Sequence, residues 1–137
     1  MSLAIDSSGL IALFKGEADS ERWFNLILSH ARREQLLVCD VVFAEVAPFM
    51  PDPDTFLSRL DGLGIRYDSI APRSAFVAGE MYSRYRLSGG PRSSLVPDFL
   101  IGAHALHQAD GLLTADRGYL RHYFSDLRTF QPTALQQ

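Results

Sequence analysis

The 137-residue chain contains one cysteine, one lysine, one tryptophan and no long apolar run. A single cysteine excludes an intrachain disulfide, and the place of Cys39 in Leu36-Leu37-Val38-Cys39 reads as a small buried hydrophobe in a reducing compartment. No stretch approaches the ~18 consecutive apolar residues of a membrane span, and Asp6 stands where a signal peptide would carry its apolar segment. A cytoplasmic protein with no membrane association is the expectation. A basic excess is also missing: thirteen Lys and Arg face sixteen Asp and Glu, for a formal charge of -3, so bulk charge does not mark a nucleic-acid binder. There is no Walker-type glycine-rich sequence with its lysine.

What is present is an ordinary globular composition, 47% hydrophobic and 21% charged, in a chain long enough for one domain with a real core. Leu3-Ala4-Ile5 reads as a strand ended by Asp6-Ser7-Ser8-Gly9, after which Leu10, Ile11, Leu13 and Phe14 recur at helical spacing. A second helix is predicted from Ser20 to Glu34, a buried strand from Leu36 to Cys39, and a short apolar helix over 41–47 with Asp40 as its N-cap. The pattern continues with a helix over 52–63, a strand from Ile65 to Ile70, and a long helix from Pro72 to Tyr85 with Phe76, Val77, Met81 and Tyr82 inward. After the flexible loop over 88–94, Pro97 opens a helix to about Ala109, Leu112-Leu113-Thr114 is a strand, a short helix covers Tyr119 to Tyr123, and a last strand lies near Leu127 to Phe130. Strict alternation of this kind predicts an α/β fold, a mostly parallel sheet flanked by helices.

Four carboxylates stand out. Asp6 and Asp116 each follow an apolar strand, and ligands of open parallel sheets bind beyond the carboxyl ends of the strands. Asp98 lies in the first turn of its helix, and Glu45 is the only charge between Val41 and Pro51. Three have a structural use as well: Asp98 can complement the helix dipole, and Asp6 and Asp116 can cap or start turns, whereas Glu45, a lone acid against the apolar background of its helix, is seldom buried without a partner and reads as functional or paired. Like charges gathered in one crevice repel unless a cation neutralises them, and hard oxygen donors suit Mg²⁺ or Mn²⁺ better than zinc. His104 and His107 share a helix face at i, i+3, but with no Cys or third His beside them they read as ordinary helix positions.

Ile5-Asp6-Ser7-Ser8, Phe43-Ala44-Glu45-Val46, Pro97-Asp98-Phe99-Leu100-Ile101-Gly102-Ala103 and Leu112-Leu113-Thr114-Ala115-Asp116-Arg117-Gly118-Tyr119 together resemble the four signature blocks of PIN-domain ribonucleases, most closely the VapC toxins of toxin–antitoxin pairs. The resemblance runs in order along nearly the whole chain. It implies a single PIN-like domain over 1–137 and a Mg²⁺- or Mn²⁺-dependent endoribonuclease whose site is Asp6, Glu45, Asp98 and Asp116. It further implies that Thr114 orients a carboxylate or a water, with Ser7 or Ser8 assisting. A VapB-type antitoxin covering the active site and a homodimer are implied as partners, with RNA as substrate. The alternative is a catalytically silent PIN-like module that binds RNA or a protein without cutting.

Twelve of the thirteen basic residues are arginines, whose planar fork suits phosphate. Arg84, Arg86 and Arg92 flank the glycine-rich loop and Arg117 follows Asp116, which makes them candidate RNA contacts beside the ordinary reading of solvated surface charges. Tyr85 between two arginines can stack on a base or pack in the core. Gly102 and Ala105 permit close packing beside Asp98. Phe49, Met50, Phe56 and Leu57 offer either core or interface. With the four site acids set aside, twelve acids face thirteen bases, so the -3 partly counts a site as surface charge.

Overall fold

The computed structural model describes residues 1–90, 96–116, 118 and 120–132. Five strands form one sheet in the order β3-β2-β1-β4-β5, with every pairing parallel: β1 (Ser2–Ile5), β2 (Gln35–Val38), β3 (Ile65–Tyr67), β4 (Leu112–Leu113) and β5 (Thr129–Phe130). The strands are short and apolar because β1, β2 and β4 are covered on both faces, as parallel sheets require. From β1 the chain moves outward to β2 and β3, then returns to the other side of β1 as β4. The strand order therefore reverses between β1 and β4, which opens a crevice beyond their carboxyl ends.

Six α-helices connect the strands among the described residues: α1 (Ser7–Lys15), α2 (Ser20–Ala31), α3 (Asp40–Val46), α4 (Pro53–Gly62), α5 (Pro72–Leu87) and α6 (Val96–Gln108). A 3-10 turn over Ala47–Phe49 extends α3, and Asp52 caps α4 by accepting the Thr55 N–H at 2.7 Å. Helix α1 packs on α2 where Gly9 meets the Trp23 ring; a Cβ there would lie 2.6 Å from the indole. The main core runs from Leu3, Ile5 and Leu10 through Ile27, Leu36 and Phe56 to Leu112 and Leu113. A second, aromatic core joins α5 and α6 to the carboxyl-terminal turn through Ala78, Phe99, Ala103 and Phe124.

Some expectations shift. Phe76 is not inward: it is 71% exposed, because α5 meets α6 along Ser74 and Ala78, small residues one turn apart that let the helices approach closely, while Val77, Met81 and Tyr82 are half-buried. Asp40 is not the N-cap of α3. Cys39 holds that position in extended backbone, and the Asp40 carboxylate instead accepts the Ile70 N–H at 3.3 Å. The third strand ends at Tyr67, after which 68–71 form a linker, and the described residues between 118 and 123 are turns rather than a helix, with Tyr119 outside the described set.

Candidate active site

Asp6 follows β1 at the point where strand order reverses, and its backbone N–H still bonds Leu113 O of β4 at 2.9 Å. Its carboxylate caps α1, accepting the Ser7 N–H at 2.7 Å and the Ser7 hydroxyl at 3.4 Å. Thr114, fully buried one residue past β4, donates its hydroxyl to the other Asp6 oxygen at 2.7 Å. The same hydroxyl accepts the Asp116 N–H at 3.1 Å, so one side chain links two of the acids. Asp116 is exposed, and its carboxylate accepts the Gly118 N–H at 2.9 Å, which fixes the turn. Ser8 accepts the Ala115 N–H at 3.3 Å and ties α1 to the same loop.

Burial raises the Asp6 carboxyl above the ordinary carboxylate value, against the lowering effect of its bonds from Thr114 and Ser7. Asp98, half-buried in the first turn of α6, is pushed up to about 6, first by burial and then by the charges of Asp6, Glu45 and Asp116. Three carboxylates from three separate stretches of the chain therefore act on Asp98 at once. Glu45, expected in an apolar setting, is exposed: α3 buries Val42 and Val46, and Glu45 stands off that face. It lines a groove of ≈ 630 Å³ with Asp40, Val41, Ala44, Ile70, Ala75, Pro97 and Leu100. Asp40 reaches this groove as a carboxylate two residues beyond the carboxyl end of β2, a signal close to the one that singles out Asp6 directly after β1.

Among the described residues, no three His, Cys, Asp or Glu side chains are gathered closely enough to hold a metal ion. The donor set nevertheless fits a hard divalent cation, since it is all oxygen and mutually repulsive, and a cation would offset the like charges that, after burial, raise the Asp98 carboxyl.

Arg84 and Arg86 lie in the last turn of α5, where they complement the helix dipole, and Arg84 reaches Met81 Sδ at 3.9 Å. Arg92 and Arg117 lie outside the described residues. Tyr85 is half-buried and packs against Tyr82, Phe99 and Tyr123 at the edge of the second core, with Gly90 against its ring. His104 is buried with Nε2 2.8 Å from Asp68 Oδ2. Phe56 is buried in the core and Met50 packs against it, while Phe49 and Leu57 are 42% and 43% exposed.

No curated protein matches the chain in sequence. Solved structures do match in fold. A chain of VapBC2 from Rickettsia felis, bound to a DNA fragment from their promoter, superposes with a TM-score of 0.72 at 17% identity over 96% of this chain and 98% of that one. FitAcB from Neisseria gonorrhoeae gives 0.63 at 17% identity over 96% and 98%, and FitAB bound to the IR36 DNA fragment gives 0.63 at 18% over 100% and 99%. No helix among the described residues is long and apolar enough to cross a membrane. The PIN-domain family model matches residues 3–125, nearly the whole length over which the sheet, the crevice and the four acids are built, and the chain belongs to the PIN-domain family.

Proposed function

We propose that this PIN-domain protein is a Mg²⁺- or Mn²⁺-dependent endoribonuclease, the toxin of a VapBC-type pair acting in the cytoplasm. The observation that carries the reading is the crevice at the β1/β4 junction, where the buried Thr114 hydroxyl ties Asp6 to Asp116 and where Asp6, Glu45 and Asp116 all bear on Asp98. Those four carboxylates would hold the cation. When bound, it supplies Lewis acidity toward a phosphodiester and acidifies water at neutral pH. The chain's own residues do the rest. Thr114 and Ser7 orient the Asp6 carboxylate, the Thr114 hydroxyl holds the Asp116 backbone, and Asp98 or Glu45 positions the attacking water or takes its proton. Arg84 and Arg86, with Arg92 and Arg117, are proposed to contact the RNA backbone.

The apolar groove beside Glu45 suits a hydrophobic segment of a VapB-type antitoxin, with a basic side chain of that partner reaching the acids. Exposed Phe49 and Leu57 supply apolar surface for a homodimer. One observation favours the second reading, a silent module that binds without cutting: the acids are not gathered at ligand spacing. A single experiment separates the two. Purified protein incubated with cellular RNA and Mg²⁺ or Mn²⁺ is expected to cleave it, with cleavage lost in EDTA and in a folded Asp6→Asn variant. Failure to bind either cation or to cleave any RNA overturns the nuclease reading.

A further inference from the structure

The linker from β3 to α5 is gripped from two sides. Asp68 continues β3 through its N–H to Val38 O at 2.8 Å, and its Oδ2 lies 2.8 Å from His104 Nε2 and accepts Gln108 Nε2 at 3.2 Å. His104 and Gln108 are one turn apart on α6, so both reach the same carboxylate oxygen. Gln108 also pairs with the linker backbone as a neighbouring strand would: its amide donates to Ser69 O at 2.9 Å, and its carbonyl accepts the Ala71 N–H at 2.7 Å. From the other side, Asp40 at the start of α3 accepts the Ile70 N–H between those two contacts. Among the described residues, the buried His104 Nδ1 has no hydrogen-bond partner, so Asp68 is the polar anchor that fixes the ring.

Helix α6 carries Asp98 and α3 carries Glu45, and both helices line the groove that Ile70 of the linker also lines. We infer that Asp68, His104 and Gln108 are positioning residues: by locking the linker to α6 while Asp40 locks it to α3, they set the spacing of Glu45 from Asp98. The inference rests on the proposed cation site at those acids. A side-chain tie of this kind touches no reacting atom and acts only through helix placement.

The test uses the full-length protein. Nitroxide labels at Pro48→Cys, exposed in the 3-10 turn that extends α3, and His107→Cys, on the exposed side of α6, in a Cys39→Ala background, report the interhelix distance without metal. Gln108→Ala is expected to broaden or shift that distance distribution, and to weaken Mn²⁺ binding, measured calorimetrically on unlabelled protein, by about 2- to 30-fold. Asp68→Ala should do the same. Asp68→Asn, which keeps an oxygen for both donors, should restore wild-type distance and affinity. Gln108 contacts the linker rather than the core, so its variant carries the test if Asp68→Ala does not fold. An unchanged distance distribution in Gln108→Ala overturns the inference, as does a changed distance with unaltered Mn²⁺ affinity. Wild-type protein that binds no Mn²⁺ identifies failure of the nuclease reading itself and takes the inference with it.

Discussion

Thr114 and Asp6, 108 residues apart in sequence, share a 2.7 Å hydrogen bond across the β1/β4 junction, and the same Thr114 hydroxyl accepts the Asp116 N–H at 3.1 Å. A fully buried hydroxyl thus donates to one acid and holds the backbone of another.

Thr114→Val removes both bonds while keeping the side chain's shape. It leaves an Asp6 oxygen and a backbone N–H short of partners, which costs about 1 to 3 kcal/mol. Urea denaturation is expected to show that loss together with reduced RNA cleavage, and Thr114→Ser should recover most of both. Equal stability of the Val variant and wild type would refute the proposed importance of the bond.

Asp98 carries the pH dependence. Its carboxyl lies at about 6 in the fold against an ordinary 3.8, so between those values the folded chain holds a proton that the unfolded chain has released. Stability from this group therefore falls as pH rises from about 4 to about 6, and Asp6 is shifted in the same direction. In EDTA, Asp98→Asn is expected to gain stability relative to wild type across that interval, and added Mg²⁺ should restore the wild type but not the variant. Melting curves in which the two proteins track each other at every pH would contradict the shift.

At Glu45 the proposed function can be tested apart from folding. Because it is exposed, Glu45→Gln should change stability by no more than about 0.5 kcal/mol while abolishing metal-dependent cleavage. Chemical denaturation and an RNA assay on one preparation check both halves, and full activity would remove Glu45 from the site.

Two glycines in helices should respond oppositely to alanine. At Gly102 a Cβ would stand 2.7 Å from the Phe124 ring, so Gly102→Ala forces the second core apart and costs about 1 to 3 kcal/mol. At Gly79, within α5, nothing lies within 4 Å, so Gly79→Ala should stabilise by about 0.4 to 1 kcal/mol. Thermal denaturation of the pair reads the difference in sign directly.

The alternation of apolar runs was sufficient by itself to determine an α/β chain with a parallel sheet, because short strands buried on both faces and amphipathic helices leave local periodic traces. Asp6, Asp98 and Asp116 were likewise legible as acids at strand ends and in a helix first turn. Long-range pairing leaves no such trace. Only the tertiary structure decided that Phe76 faces solvent, since the depth of α5 against α6 depends on Ser74 and Ala78 meeting a partner helix. It alone brought Asp68 to Gln108, 40 residues away, and turned Asp40 from a cap into a tether for Ile70. The strand order, which no local pattern encodes, placed Asp6 beside Thr114 and gave Asp98 three charged neighbours. The residue types and their local settings were written in the chain; their distances followed from closing the sheet.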